Sequence, residues 1–275
     1  MSDLIGSAMG KYRLLKLLGR GDGTAVYLGE DNLIKTKVAI KMLDPSVTST
    51  RKEIFLESVR AMARLTSPYI VQSYEFGIED SYTFFVMSHA PHGSLRQRYP
   101  RGSQLPLART VIYVKQIAEA LHHAHMRNIL HQDLKPENVL LDVNDTVLVS
   151  DFGFSVNPSF PDVLGSTVSL SSICYMAPEQ LLGKPQQASD QYALGIMIYE
   201  WLCGIPPFMG TAEEVIAQHL SAYPVSLAER IPHLPPLINE VVHIALAKDP
   251  QTRFTSIKSF AHAFEQASLD QEQKA

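Results

Sequence analysis

Cysteine is scarce in this sequence of 275 residues, which contains only Cys174 and Cys203. The two lie far apart and outside any paired spacing, so they predict neither a disulfide framework nor a thiolate metal site. Stable disulfides mark oxidising compartments. The cysteine usage therefore favours a reducing, cytoplasmic setting.

Long apolar runs are also missing. A helix needs about 20 consecutive apolar residues to cross a bilayer. The most apolar segment, residues 192–208, is interrupted by Glu200, Gly204 and two prolines. Residues 1–10 lack the basic start and apolar block of a signal peptide. We therefore expect neither a membrane segment nor an export signal in this sequence.

No charge of one sign dominates. The sequence has 24 Lys and Arg residues and 28 Asp and Glu residues, which gives a formal net charge of -4. Without a broad basic field, binding to nucleic acid through bulk charge is disfavoured. We find no internal repeat and no low-complexity tract. A composition of 45% hydrophobic and 19% charged residues is typical of a globular chain with a sizeable core. One enzyme-sized unit is expected.

The most informative segment is HQDLKPEN at residues 131–138, followed by DFG at residues 151–153. Transfer of a phosphoryl group from ATP to a hydroxyl requires a proton acceptor, a cation beside the moving phosphate, and oxygen ligands for Mg²⁺. Asp133 and Lys135 supply the first two, and the side-chain oxygens of Asn138 and Asp151 suit Mg²⁺. The apolar runs between Asn138 and Asp151 predict a hairpin that brings these two side chains together.

A glycine-rich segment, GRGDGTAV at residues 19–26, lies between two strand-like runs. Its small residues would let backbone N–H groups approach phosphate oxygens, although such segments are more often plain hairpins. Lys41 ends the apolar run VAIK at residues 38–41. A hydrated side-chain charge is not expected at the end of an apolar strand. Together the two features favour a nucleotide site.

Hydrophobic periodicity predicts a strand-rich front and a helical remainder. Strand-like runs cover residues 12–18, 25–29, 37–42 and 82–87. Helical patterns cover residues 49–65, 107–127, 189–203, 237–247 and 256–266. The Pro and Gly of Ala90–Gly93 indicate a connector between two subdomains.

From residue 12 to residue 265 these motifs resemble the protein kinase catalytic domain, specifically the eukaryotic-like (Hanks-type) Ser/Thr kinases of bacteria. The resemblance implies an α+β fold with two lobes. A small antiparallel sheet with one main helix would form the N-lobe (residues 12–87), and a larger, mainly helical C-lobe would follow (residues 88–265). Residues 1–11 and 266–275 would be short tails. ATP, Mg²⁺ and a protein with a Ser or Thr acceptor are the implied cofactors and partner.

The resemblance also implies a role for individual residues. Asp133 and Lys135 would be catalytic, and Asn138 and Asp151 would hold the metal. Lys41 would bind the α and β phosphates. The full set implied for ATP binding is Leu18, Gly19, Gly21, Gly23, Val26, Ala39, Lys41, Met87, Ser88, Ala90 and Leu140. By the residues alone, the apolar members of this set would be ordinary core positions.

Two structural roles follow from the same resemblance. Glu179, in the segment Ala177-Pro178-Glu179, and Arg253 would form a buried ion pair that fixes the segment expected to dock a peptide. Asp190 would anchor the backbone of the catalytic loop.

The histidines at positions 122, 123, 125 and 131 have no accompanying carboxylate pattern, so packing or surface positions are predicted for them rather than a metal site.

Several positions depart from the family pattern. Ser58 stands where active members carry the helix glutamate that pairs with the strand lysine, and Glu57 lies one residue away. Thr24 replaces the usual third glycine of the loop, and Gln132 replaces an arginine that would pair with a phosphorylated activation loop. Hydroxyls between residues 155 and 172 are candidate phosphate acceptors or solvated turn residues.

These departures keep a second function open, that of a nucleotide-binding pseudokinase scaffold with weak or no catalysis. A small-molecule kinase is less expected, because the segment that contains Glu179 and its partner Arg253 are features of the protein kinases.

Overall fold

The computed structural model describes residues 4–21, 23–153 and 169–269. Its first part contains a six-stranded antiparallel sheet with the order β1-β2-β3-β4-β6-β5. The strands are β1 (Ala8–Met9), β2 (Tyr12–Gly21), β3 (Thr24–Asp31), β4 (Lys37–Leu43), β5 (Ser73–Glu79) and β6 (Tyr82–Ser88). Helix α1 (Ser49–Ala63) connects β4 to β5.

The sheet has an apolar core on each face. On one face lies a small cluster that includes Tyr27, Ile40 and Phe84. Side chains along β3 point alternately to the two faces of the sheet, and every second residue of β3 is buried in this cluster or beside it. Gly77 on β5 leaves room for the Phe84 ring, since a Cβ there would lie 2.5 Å from that ring.

Helix α1 covers the other face of the sheet. Its N-terminus is capped by Thr48, whose side chain accepts a hydrogen bond from the Arg51 amide at 3.4 Å. Phe55, Val59 and Met62 recur at helical spacing and are buried. They join a continuous core that extends into the second lobe.

The second lobe is mainly helical. Its described helices are α2 (Leu95–Arg98), α3 (Leu107–His125), α4 (Leu170–Ile173), α5 (Pro178–Leu181), α6 (Gln187–Cys203), α7 (Ala212–Ser221), α8 (Leu227–Arg230), α9 (Pro236–Ala245) and α10 (Ile257–Leu269). Helix α6 is buried on all sides, and it ends at Gly204, which adopts the left-handed conformation (φ 83°) that glycine tolerates. The other long helices pack around it.

A small hairpin of β7 (Val139–Leu141) and β8 (Val147–Val149) lies where the lobes meet. The Val71 amide donates to the Val149 carbonyl at 3.0 Å, and the Val149 amide donates to the Tyr69 carbonyl at 2.8 Å. The Leu141 amide donates to the Gly93 carbonyl at 2.9 Å. The hairpin is therefore bonded both to the segment that precedes β5 and to the interlobe connector.

The predicted two-lobed α+β fold is confirmed, with three differences in its elements. Strands β1 and β5, helix α7 and the short helices α2, α4, α5 and α8 were not expected, β2 extends through Gly21, and helix boundaries shift by a few residues. Helix α6 begins at Gln187 rather than Ser189, because Ser189 instead accepts a hydrogen bond from the Gln186 amide at 3.0 Å. In the part of the chain that is described, no helix combines the length and apolarity needed to span a bilayer.

Candidate active site

A cleft of about 830 Å³ separates the two lobes. Nearly all of the predicted site residues line it, including Asp133, Lys135, Asn138 and Asp151 from the second lobe and Lys41 from the first. Of the predicted set, Gly23 alone lies outside the cleft lining. Gly23 has φ 72° and faces Val47, whose Cγ1 would lie 2.6 Å from a Cβ at this position. The structure thus brings together side chains that are far apart in the sequence.

Asp190 at the start of α6 fixes the backbone of the catalytic loop. Its carboxylate accepts hydrogen bonds from the amides of His131 at 3.0 Å and Gln132 at 2.9 Å. His125 Nε2 lies 2.7 Å from Asp190 Oδ2. Burial alone would raise the pKa of Asp190, but the bond to His125 and the neighbouring donors lower it below its usual value. The predicted anchoring role is confirmed.

Gln132 takes a positive φ of 66°, which is uncommon outside glycine. The two amide bonds to Asp190 hold the loop in this conformation. As a result the side chain of the next residue, Asp133, is presented to the cleft.

Asp133, Lys135 and Asn138 form a compact group. Lys135 Nζ lies 2.8 Å from Asp133 Oδ2, and Asn138 Nδ2 donates to the same oxygen at 3.0 Å and to the Asp133 carbonyl at 2.8 Å. Lys135 also donates to Ser172 Oγ at 2.7 Å. A carboxylate, a cation and an amide therefore share one small part of the cleft.

The β7–β8 hairpin places Asn138 beside Asp151, as predicted. Asn138 directly precedes β7, and the Ser150 amide after β8 donates to the Asn138 carbonyl at 2.9 Å. Asp151 itself adopts φ 61°. Both side chains line the cleft.

Lys41 is buried and pairs with Asp151 across the cleft, with 2.8 Å between Nζ and Oδ1. Burial acts to raise the pKa of Asp151, but the charge of Lys41 and its hydrogen bond, helped by His131 and Lys135, lower it overall. Asp151 is therefore an anion over the whole physiological pH range.

Ser58 faces inward, as the periodicity of α1 predicts, and it is buried. Its hydroxyl donates to the Phe55 carbonyl at 2.8 Å within the helix. Gly153 packs against this part of α1, because a Cβ on Gly153 would lie 3.2 Å from Ala61 Cβ and 4.0 Å from Ser58 Cα. Glu57 is exposed.

Sequence reasoning missed several side chains that line the cleft. They include Lys16, Arg96, Gln97 and Glu137. Glu137 lies inside the most informative motif, but Arg96 stands in a short helix whose only local signal is a capping box formed by Ser94 and Gln97. Such a signal predicts a helix start and says nothing about a site.

Arg96 is the centre of a partly buried network. It donates to Glu137 Oε1 at 2.9 Å, to Glu200 Oε1 at 2.8 Å and to the Tyr175 hydroxyl at 2.5 Å. The Tyr175 hydroxyl in turn donates to Glu200. Burial, followed by the charge of Glu200, raises the pKa of Tyr175, so its hydroxyl stays protonated.

The predicted ion pair of Glu179 and Arg253 is confirmed and is bidentate. Both N–O distances are 2.8 Å. Ser189 Oγ donates to the same carboxylate at 2.7 Å. This pair joins α5 to the start of α6 and to the segment that precedes α10.

Of the candidate phosphate acceptors, Ser159, Ser166 and Thr167 lie outside the described residues. Ser169 and Ser171 line the cleft, and their hydroxyl oxygens are 2.8 Å apart.

Comparisons with known proteins agree with this geometry. A family model described as "Protein kinase domain" matches residues 12–265. The chain is 35% identical over 282 aligned residues to the serine/threonine-protein kinase PknD of Mycobacterium tuberculosis, covering 99% of this chain and 42% of that protein. It is 35% identical to the DNA damage-responsive serine/threonine-protein kinase RqkA of Deinococcus radiodurans, covering 95% and 40%.

It is also 33% identical to the serine/threonine-protein kinase PrkC of Bacillus subtilis, covering 91% of this chain and 40% of that protein. The chain thus spans about two fifths of the length of these curated relatives. The motifs of the cleft, the two-lobed fold and the match over nearly the whole sequence lead to one conclusion: the chain belongs to the protein kinase family, among relatives that are bacterial serine/threonine kinases.

Proposed function

We propose that this chain transfers the γ-phosphoryl group of Mg-ATP to a Ser or Thr hydroxyl of a protein substrate. One observation carries the proposal. Asp133, Lys135, Asn138, Asp151 and Lys41 line a single cleft at the junction of two lobes, which is the set of groups that phosphoryl transfer requires. The proposed catalytic domain is residues 12–265.

Asp133 is the proposed proton acceptor. The acceptor hydroxyl oxygen would form a bond to the γ-phosphorus as the bond from that phosphorus to the β,γ-bridging oxygen breaks, with ADP as the leaving group. The hydroxyl proton would pass to the Asp133 carboxylate. Lys135, 2.8 Å from that carboxylate, would neutralise charge on the group in transit.

The donor set fits Mg²⁺. The amide nitrogen of Asn138 is engaged with Asp133, which leaves its side-chain oxygen for a cation, and Asp151 is ionised. Mg²⁺ is commonly held by one or two protein oxygens together with substrate phosphates. When bound, it would neutralise the β and γ phosphate oxygens. Lys41, now paired with Asp151, would exchange part of that contact for the α and β phosphates.

The adenine is proposed to lie between apolar side chains of the two lobes. Val26 and Ala39 line the cleft from the first lobe, and Leu140 lines it from the second. The Ser88 amide is already bonded to the Gln72 carbonyl at 2.9 Å. Ala90 borders the cleft, and its amide would donate to the base.

Transfer of radiolabelled phosphate from ATP to a generic protein substrate tests the proposal, with the wild type compared with Asp133→Asn. We expect transfer by the wild type and a loss of about 10²-fold or more in the variant. Equal signals from both proteins would identify a contaminating kinase and overturn the assignment of Asp133.

The scaffold alternative rests on Ser58, since α1 presents a hydroxyl that is bonded to its own helix instead of a carboxylate for Lys41. Stabilisation by Mg-ATP without any phosphoryl transfer would support this alternative.

The two thiols, Cys174 and Cys203, are free and suit a reducing compartment such as the cytoplasm. Cytoplasmic signalling is therefore part of the same proposal.

A further inference from the structure

Two carboxylates lie together beside the catalytic loop. Glu137 belongs to the same motif as Asp133 and lines the cleft, while Glu200 comes from α6. Asn138, the residue after Glu137, donates to Asp133 at 3.0 Å. Because an extended peptide advances about 3.3 Å per residue, the residues that flank an acceptor hydroxyl at Asp133 would pass close to these carboxylates.

Arg96 already bonds to both carboxylates. Its Nη1 and Nη2 donate to the two oxygens of Glu200 at 2.8 Å and 3.2 Å, and its Nε donates to Glu137 at 2.9 Å. Nη2 also donates to the Tyr175 hydroxyl. A guanidinium binds carboxylates through a planar fork of N–H donors. The chain's own arginine therefore takes the place that an arginine of a substrate would need.

The exposed fractions of the side chains show which charge a substrate meets. The side chain of Glu200 is only 3% exposed, while that of Arg96, which lines the cleft, is 16% exposed. Glu137 is more open, but its second oxygen, Oε2, is covered and has no hydrogen-bond partner among the described residues. A cation in the cleft would meet the guanidinium before it could reach a carboxylate oxygen, and like charges repel.

Helix α2 holds Arg96 in this position. Leu95, the preceding residue, is fully buried, and the capping box of Ser94 and Gln97 fixes the start of the helix. Because Arg96 is tethered to the same chain as the carboxylates, it competes with any free guanidinium at a high effective concentration.

We propose that Arg96 determines substrate specificity by excluding arginine and lysine from the subsite formed by Glu137 and Glu200. The substrates are then proteins whose acceptor Ser or Thr has an uncharged or acidic residue at the position that faces Arg96. Exclusion of a competitor in this way is a common source of specificity. The inference rests on the proposed kinase function and names the substrate class of the same cleft.

Phosphorylation of a peptide series tests the exclusion. The peptides share one Ser acceptor and carry either arginine or alanine at successive positions before and after it. The measured quantity is the ratio of kcat/KM for each arginine peptide to that for its alanine counterpart. Arg96→Ala should raise this ratio by about tenfold or more at one position, because the two carboxylates become available to the substrate. The double variant Arg96→Ala, Glu137→Gln should lose most of the gain.

Unchanged ratios in Arg96→Ala would overturn the proposal. The wild type supplies a second test that does not depend on how well this variant folds. If the wild type itself preferred arginine at a position by about tenfold, and Glu137→Gln abolished that preference, Glu137 would be open to substrates and the exclusion would be wrong.

Arg98→Ala is the matched control. It also removes a cation from α2, but Arg98 is exposed and pairs with Asp145 at 3.2 Å rather than with either carboxylate. Its ratios should equal those of the wild type. A gain in arginine preference as large as that of Arg96→Ala would reduce the effect to overall charge and overturn the role of Arg96. Ratios taken within each protein cancel any general loss of activity.

A binding measurement separates this inference from the kinase activity. Methylguanidinium has the fork of donors that arginine has, and Arg96→Ala leaves space for it. In thermal denaturation, methylguanidinium should raise the Tm of Arg96→Ala more than methylammonium does, with no such difference in the wild type. An equal response of the two proteins would overturn the exclusion even if phosphoryl transfer were confirmed. Selective rescue without transfer to any peptide would support the position of Arg96 in the subsite and overturn the proposed kinase function alone.

Discussion

At the residue scale, the surroundings of Lys41 differ from the family pattern at one position. Its ion-pair partner in the cleft is Asp151, while Ser58 directs its hydroxyl to the Phe55 carbonyl of its own helix. Placement of Lys41 thus depends on the second lobe as well as on β4. A hydroxyl that bonds back to the i−3 carbonyl of a helix contributes little to stability.

We therefore expect Ser58→Ala to keep its kcat/KM within about twofold of the wild type and its free energy of unfolding within about 1 kcal/mol. Lys41→Ala is the contrasting variant and should lose most phosphoryl transfer. Steady-state kinetics and urea denaturation measure both quantities. A large loss of kcat in Ser58→Ala with unchanged stability would show that the hydroxyl positions Lys41.

His219 predicts a specific pH dependence. Burial, with a smaller effect from the charge of Lys248, lowers its pKa from 6.5 to about 3. The unfolded chain takes up a proton near its ordinary pKa, while the folded chain resists protonation until about pH 3, so the free energy of unfolding falls as the pH drops between these values.

From pH 7 to pH 5, His219 should account for a loss of about 2 kcal/mol in the free energy of unfolding. His219→Gln should lack this loss. Urea denaturation of both proteins at both pH values measures it, and comparing each protein with itself removes any constant destabilisation by the substitution. Equal pH dependence in the two proteins would contradict the burial of a neutral imidazole.

At the scale of elements, the site depends on short segments held by buried polar contacts. Arg96 on α2 bonds to Glu137 of the catalytic loop, to Tyr175 beyond α4 and to Glu200 on α6. One guanidinium thus fixes the spacing between the catalytic loop and the segment expected to dock a peptide. Asp190 does the same for the backbone on the other side of that loop.

Arg96→Leu should destabilise the protein by about 3–5 kcal/mol, because it leaves the Glu200 carboxylate buried without its cation. Arg96→Lys retains the charge and should cost less. In the folded fraction we expect KM for the protein substrate to rise more than KM for ATP. Urea denaturation and kinetics with each substrate varied would reveal the split, and parallel changes in both KM values would argue against a role in substrate docking.

The sequence patterns predicted the long helices better than they predicted the edge strand β5. The long helices follow from their 3.6-residue periodicity, since α3 and α6 were expected within two residues of their observed ends. Strand β5 was missed although Tyr74, Phe76 and Ile78 alternate. The reason is physical: these residues face solvent at a sheet edge, so their pattern does not mark a buried face.

At the scale of the whole molecule, the cleft is built from both lobes. Lys41 belongs to the first lobe and Asp151 to the second, and the Lys41–Asp151 pair joins them directly. A nucleotide that contacts both sides should therefore stabilise the entire fold, because a ligand that binds only the native state raises its stability by mass action.

With Mg-ATP at about 100 times its Kd, stabilisation of about 2.7 kcal/mol is expected, seen as a higher Tm in thermal denaturation. Asp151→Asn should show a much smaller rise, because it removes a proposed metal ligand and the partner of Lys41. Leu33→Lys, remote from the cleft, should respond like the wild type. An equal rise in Asp151→Asn would remove Asp151 from the nucleotide site.

The sequence by itself determined which chemical groups are present and in what order, and so predicted Asp133, Lys135, Asn138, Asp151 and Lys41 as one phosphoryl-transfer set. Local motifs carry this information because catalytic groups a few residues apart share a loop. Tertiary structure alone decided that Lys41 pairs with Asp151 across 110 residues, that Arg96 joins the cleft, and that β5 ends the sheet with an apolar edge. Such contacts depend on how distant elements pack, and no local periodicity records that packing.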